Sequence, residues 1–143
     1  MMAKWLSLAV VVASLSCYHL AQRSISQEGG PAPLFAMVYG VATVIMFSTL
    51  VATGTGEGLQ QMKAYASHWA PWLLMLAVAG IELGVYAMYR AGWNISTASV
   101  STQAISAGIL VVLGLVVFGE HLTVLRSVGL LMCVGGAALV ATK

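Results

Sequence analysis

The chain is short of charge. Among 143 residues, six are Lys or Arg and four are Asp or Glu. A soluble domain carries about 25% charged residues, whereas this chain carries 7%. It therefore lacks the polar surface that would keep it in water. No run of basic residues is present, which excludes the nucleic-acid and polybasic-anchor readings. Cysteine is scarce too. Cys17 and Cys133 both fall in apolar segments and read as small hydrophobes, with no further ligands at metal spacing. No nucleotide loop, metal-ligand cluster or nucleophile–base motif appears. An enzyme is not expected, and no cofactor or metal is implied.

What the chain has is hydrocarbon. It is 60% hydrophobic with a mean hydropathy of +0.95. The first apolar stretch could be a signal peptide. It follows Lys4 but runs on without a small-residue cleavage site, and it reads as a retained span. A helix of about 20 apolar residues crosses a bilayer core. Five segments qualify, at about 3–21, 34–53, 69–89, 96–118 and 123–141. None alternates polar with apolar, so a membrane barrel is excluded and an all-α integral membrane fold is predicted. Pro31 and Pro33 suit the start of the second segment, Asn94 caps the fourth and Thr123 the fifth. Between the second and third segments, Leu59, Met62 and Ala66 recur at helical spacing and predict a short helix at headgroup level. Trp5, Trp69, Trp72 and Trp93 all stand at predicted span ends, where amphipathic rings prefer to lie.

An odd number of spans puts the ends of the chain on opposite sides. Lys4, Lys63 and Arg126 then share one side, and Arg23, Arg90 and Lys143 the other. The positive-inside rule has no excess to act on. Dual insertion with antiparallel pairing is one reading; an accidental balance of few charges is the other.

Against this background the polar residues inside the spans stand out. Glu82 lies near the middle of the third span, where a charge costs about 2.5–3.5 kcal/mol on insertion scales. It should face protein or a water-filled cavity. Removing water disfavours the ionised form of a carboxyl group, and a group that gains and loses a proton there can exchange it for a cation. A neutral Glu82 in a structural hydrogen bond is the competing reading. Tyr86 and Tyr89 follow at i+4 and i+7, on the same face. They either orient the carboxyl group, stack on a cation or pack between helices. Ser99, Thr102, Gln103 and Ser106 form a stripe on the fourth span. The stripe reads as a cavity wall for a polar solute, or as hydrogen-bonded helix packing. Ser14, Tyr18 and His19 add a candidate polar patch on the first span, with His19 read as interfacial. Gly80 and Gly84 flank Glu82. Gly129, Cys133, Gly136 and Ala137 give the fifth span a small face suited to packing or dimerisation.

The third span ends in YRAGW (89–93), the fourth leads into VFGEHLT (117–123), and the fifth reads VGLLMCVGGAALV (128–140). With five spans, this resembles one EamA-type repeat of the drug/metabolite transporter superfamily, across essentially the whole chain. The FGE turn before a Gly-rich last helix is the most recognisable feature. These motifs are degenerate and speak to the superfamily rather than the substrate. Typical members join two such repeats in opposite orientation, so the resemblance implies a half-unit of a ten-span fold working as a dimer. The partner would be a second copy, parallel or antiparallel, or another half-length chain. The small multidrug resistance proteins of the same superfamily are antiparallel dimers of four-span chains. Their glycine dimer motif is similar to Gly129, Leu130 and Gly136, and segment 34–53 would be extra. They carry a first-span glutamate, but Ser14 to Ser16 hold no acid here, and their pore tryptophan falls near Thr102. Glu82 would have to take the carboxylate's part from another helix.

Together these readings imply a small transporter of the bacterial inner membrane. It would move a polar or cationic metabolite or drug by alternating access, in exchange for protons. A flippase subunit for a lipid-linked sugar is the alternative within transport. A non-transporting assembly subunit is the alternative outside it.

Overall fold

The computed structural model describes residues 2–119, 121 and 123–141. Among them are six helices and no strand: α1 Met2–Ile25, α2 Pro31–Thr53, α3 Thr55–Ala66, α4 Trp69–Arg90, α5 Ile95–Val117 and α6 Val124–Ala141. Four of these, α1, α2, α4 and α5, are long and apolar enough to cross a membrane. With 22 to 24 residues each, they extend about 33–36 Å at 1.5 Å per residue. This is the build of an all-α integral membrane protein. α6 is shorter, at 18 residues, or about 27 Å.

Local chemistry explains the boundaries. α1 continues past the predicted end at residue 21 and carries Gln22, Arg23 and Ser24 on the helix. Arg23 lies in its last turn, where a cation complements the carbonyl end. Pro31 opens α2 directly, because its fixed φ suits the first turn and its missing N–H is not needed there. Gly54, at φ +108°, separates α2 from α3 in backbone space that side-chain-bearing residues avoid. α3 is the short helix expected from Leu59 and Met62. Glu57 in its first turn and Lys63 in its last match the helix dipole. The Trp72 indole donates to the Ala66 carbonyl at 3.1 Å and ties the start of α4 to the end of α3. Asn94 caps α5 through its backbone: its carbonyl accepts from the Ala98 N–H at 2.9 Å, while its side chain makes no cap bond. The Thr123 carbonyl accepts from the Ser127 N–H at 3.0 Å. Glu120 of the FGE turn, Leu122 and Lys143 lie outside the described residues.

The chain divides into two compact units, Gln22–Arg90 and Met1–Ala21 with Ala91–Lys143. In the second of these, α5 and α6 run against each other. A Cβ placed on Gly108 would meet the Val134 side chain at 3.9 Å, an ordinary packing contact between the two helices. Ala137 of α6 is enclosed, as are Ala98 and Gly114 of α5. Small residues permit such close approach where no water drives helices together. In the unit Gln22–Arg90, α3 packs against both α2 and α4.

Burial is inverted relative to a water-soluble domain. The enclosed residues are small, aromatic or polar: Ala98, Ala137, Tyr86, Tyr89, His19, Gln22, Ser26 and Ser101. Leu, Val, Ile and Met face outward along every long helix, with Leu76, Val116 and Leu139 all more than 70% exposed. That distribution suits a hydrocarbon solvent, in which polar groups must find partners inside the protein.

Candidate functional site

The polar groups of the unit Gln22–Arg90 converge from three helices. α4 contributes Glu82, Tyr86, Tyr89 and Arg90, which recur at helical spacing on one side. The last turns of α1 and the following turn contribute Gln22, Arg23, Ser26, Gln27 and Gly29. α2 contributes Phe35 and Tyr39, one turn apart, with ring centroids 6.4 Å from each other.

Two layers result. In the first, the Gln22 amide donates from Nε2 to Glu82 Oε2 at 2.7 Å. The Tyr39 side chain lies within electrostatic reach of Glu82. Glu82 is half-buried, and Gln22 is only 6% exposed. The amide oxygen of Gln22 is enclosed and has no donor. In the second layer, the Tyr86 hydroxyl and the Arg90 guanidinium both donate to the Gly29 carbonyl, the latter at 2.7 Å. Arg90 also donates to the Tyr86 hydroxyl at 3.0 Å. In return, Arg23 and Gln27 donate to the Tyr89 carbonyl at 3.0 and 2.9 Å. The α1–α2 turn and the end of α4 therefore satisfy each other's carbonyls, which a helix end inside a membrane protein would otherwise leave bare. The Phe35 ring meets Tyr86 edge to face, with centroids 6.0 Å apart.

A cleft of about 360 Å³ opens between α2 and α4, lined by Tyr39, Leu74, Met75, Val78 and Ala79. Val78 and Ala79 lie one turn before Glu82, on its side of the helix. Tyr39 belongs to both cleft and polar layer. Glu82 thus lies one turn along α4 from two residues that line an apolar cleft, within a segment long enough to cross a bilayer. A second hollow of about 300 Å³ lies over the α1–α2 turn, lined by Ile25, Gly30, Pro33, Leu34 and others.

The predicted residues fare differently. Glu82, Tyr86 and Tyr89 come together as their spacing implied. Tyr86 and Tyr89 are buried, with the Tyr86 hydroxyl engaged on a backbone carbonyl rather than on the acid. The α5 residues belong to the other unit. Ser99 and Thr102 are half-buried, and Thr102 Oγ1 donates to its own helix at the Ala98 carbonyl, 2.8 Å away. Gln103 and Ser106 are exposed, while Ser101, outside the predicted stripe, is buried with an unpartnered hydroxyl. Ser14 is exposed and Tyr18 half-buried, its ring edge-on to His19 at 5.3 Å. His19, read as interfacial, is enclosed, on a helix that runs on to Ile25. Gly129, Cys133 and Gly136 are exposed on α6. Sequence reasoning did not single out Gln22, Arg23, Gln27 or Tyr39. The first three recur at helical spacing with Ser26, a signal that α1 continues as a polar-faced helix. Among the described residues, no group of three or more His, Cys, Asp or Glu side chains could hold a metal. Compared with known families, curated proteins and solved structures, the chain matches none.

Proposed function

We propose that the protein is a membrane transporter subunit whose translocation site is centred on Glu82. It has five spans, α6 being the fifth, and is a single EamA-type half-unit of the bacterial inner membrane. It works as a dimer by alternating access, paired with a second copy or another half-length chain. Glu82 binds either a proton or a cationic solute, and the competition between them couples the two fluxes. The observation that carries this reading is the acid itself. Glu82 accepts from Gln22, one turn from the cleft-lining Val78 and Ala79, on a helix apolar enough to cross a membrane.

A thermal-shift screen of purified protein with organic cations, neutral metabolites and polyprenyl phosphates tests the proposal. A ligand that binds only the folded state stabilises it by about 2.7 kcal/mol at a hundred times its Kd. Cations are expected to raise the midpoint of the wild type and not of Glu82→Gln. The apolar cleft lining favours one second reading, a flippase subunit. Stabilisation by polyprenyl phosphate alone would support it and remove the cation reading.

A further inference from the structure

We infer that the hollow over the α1–α2 turn holds a phosphatidylethanolamine molecule of the bilayer, its ammonium on the Glu28 carboxylate and its phosphate on the Arg90 guanidinium. The inference is independent of the role of Glu82.

The hollow measures about 300 Å³ and lies wholly within the unit Gln22–Arg90. It joins two kinds of surface. Ile25, Pro33, Leu34 and Met37 form an apolar wall, and Glu28 is the one ionisable residue among those lining it. Pro33 and Met37 stand one turn apart on α2, so the wall runs down that helix from the turn. The turn follows one helix long and apolar enough to cross a membrane and precedes another. It therefore lies at headgroup level, with the wall descending toward the acyl chains. A lipid fits that order of surfaces, with its head at the turn and its chain on α2.

The charges select the head. Glu28 is exposed, and among the described residues its carboxylate makes no hydrogen bond or ion pair. The next residue, Gly29, also lines the hollow, and its carbonyl accepts from Arg90 Nη1 at 2.7 Å. The same nitrogen donates to the Tyr86 hydroxyl. Arg90 is exposed, and its Nε and Nη2 have no partner among the described residues. An open carboxylate and an open guanidinium edge thus meet at a single glycine. Ethanolamine phosphate carries the complementary pair, a cation and an anion two carbons apart. The guanidinium fork suits phosphate oxygens, and a primary ammonium offers N–H groups to a carboxylate. Phosphatidylcholine has the positive charge but no N–H, and phosphatidylglycerol has no cation. Arg23, half-buried and bonded to the Tyr89 carbonyl at 3.0 Å, adds positive charge at this end and favours the phosphate of all three lipids. Discrimination among them falls to Glu28.

The test titrates full-length protein in maltoside micelles with dioleoyl lipids and reads the bound fraction by native mass spectrometry. The probes are phosphatidylethanolamine, phosphatidylcholine and phosphatidylglycerol, with glycerophosphoethanolamine as the chainless control. Phosphatidylethanolamine should bind about three- to fivefold tighter than the other two, the scale of one well-placed exposed ion pair. The chainless control should not bind. Glu28→Gln should remove the margin over phosphatidylcholine while leaving phosphatidylcholine binding unchanged, and Glu28→Lys should reverse the preference toward phosphatidylglycerol. Arg90→Ala, in which Tyr86 still serves the Gly29 carbonyl, should weaken all three lipids and keep their order. Met37→Trp fills the hollow from a position 63% exposed and should also weaken all three. Equal affinities in the wild type, a preference for phosphatidylglycerol there, or a margin that survives Glu28→Gln overturns the inference. So does undiminished binding in Met37→Trp or Arg90→Ala. Binding of the chainless head as tightly as the lipid overturns it in favour of a soluble phosphate ester. The wild-type series does not depend on any variant folding, and none of these outcomes bears on Glu82.

Discussion

The Gln22–Glu82 pair can be measured directly as a coupling energy. The perturbation is a double-mutant cycle of Gln22→Leu, Glu82→Leu and both together. The bond is short, at 2.7 Å, and its donor residue is almost fully enclosed. Hydrogen bonds to ions are worth about 1.5–3 kcal/mol in folded proteins, and interhelical bonds in membranes average about 0.6 and reach about 1.7 kcal/mol. A coupling of about 1.5 kcal/mol is therefore expected, near the top of the membrane range. The two single changes should differ. Glu82→Leu strands both ends of the buried Gln22 amide, at about 1–3 kcal/mol for a buried group left unmade. Gln22→Leu removes its own orphaned oxygen along with the bond, so no part of a buried amide is left unmade. Glu82→Leu should thus be the more destabilising, and the double variant should cost clearly less than the sum. The assay is reversible unfolding in mixed micelles with a denaturing detergent, in which both states remain in an apolar medium and the cost of insertion cancels. Additivity within about 0.5 kcal/mol would refute the reasoning, because distant, uncoupled sites behave in that way.

Three further predictions concern the frame around this pair. Arg23→Leu and Gln27→Leu should each be mild, because the other donor still serves the Tyr89 carbonyl; the double variant should lose about 1–3 kcal/mol more than the sum of the singles in the same unfolding assay. Tyr86→Phe removes one of two donors to the Gly29 carbonyl and the acceptor for Arg90; a loss of about 1 kcal/mol is expected, and an unchanged midpoint would contradict the contact. Ala137→Leu forces extra methylenes into the enclosed face of α6 and should destabilise by about 1–3 kcal/mol, whereas Leu139→Ala on the exposed face should be near neutral in micelles.

The long apolar segments made the helices legible, since a chain with so few charges has no other use for runs of that length. The α4 face was legible for the same reason, because Glu82, Tyr86 and Tyr89 repeat at helical spacing. What spacing does not carry is the partner. Gln22 lies 60 residues from Glu82, and its polarity read as the end of a span rather than as the continuation of one. Gln27 and Gly29 looked like an ordinary polar turn, although Gln27 donates to the Tyr89 carbonyl and the Gly29 carbonyl accepts from Tyr86 and Arg90. Tyr39 stood alone in an apolar helix with nothing nearby to mark it. The α5 stripe shows the converse limit. Periodicity grouped Ser99, Thr102, Gln103 and Ser106 without saying which side is enclosed, and Thr102 satisfies its hydroxyl on its own backbone. Ser and Thr can always do this within a helix, so their presence on a face says little about a cavity.

The central claim is that Glu82 exchanges a proton for a cationic solute. Reconstituted proteoliposomes with an acidic interior and an enclosed pH dye test it most directly. On external addition of a permanently charged organic cation, the wild type should alkalinise the interior faster than empty vesicles do, as uptake of the cation releases protons outward. Glu82→Gln, folded and reconstituted to the same density, should match the empty vesicles. Alkalinisation by Glu82→Gln at the wild-type rate would contradict the account.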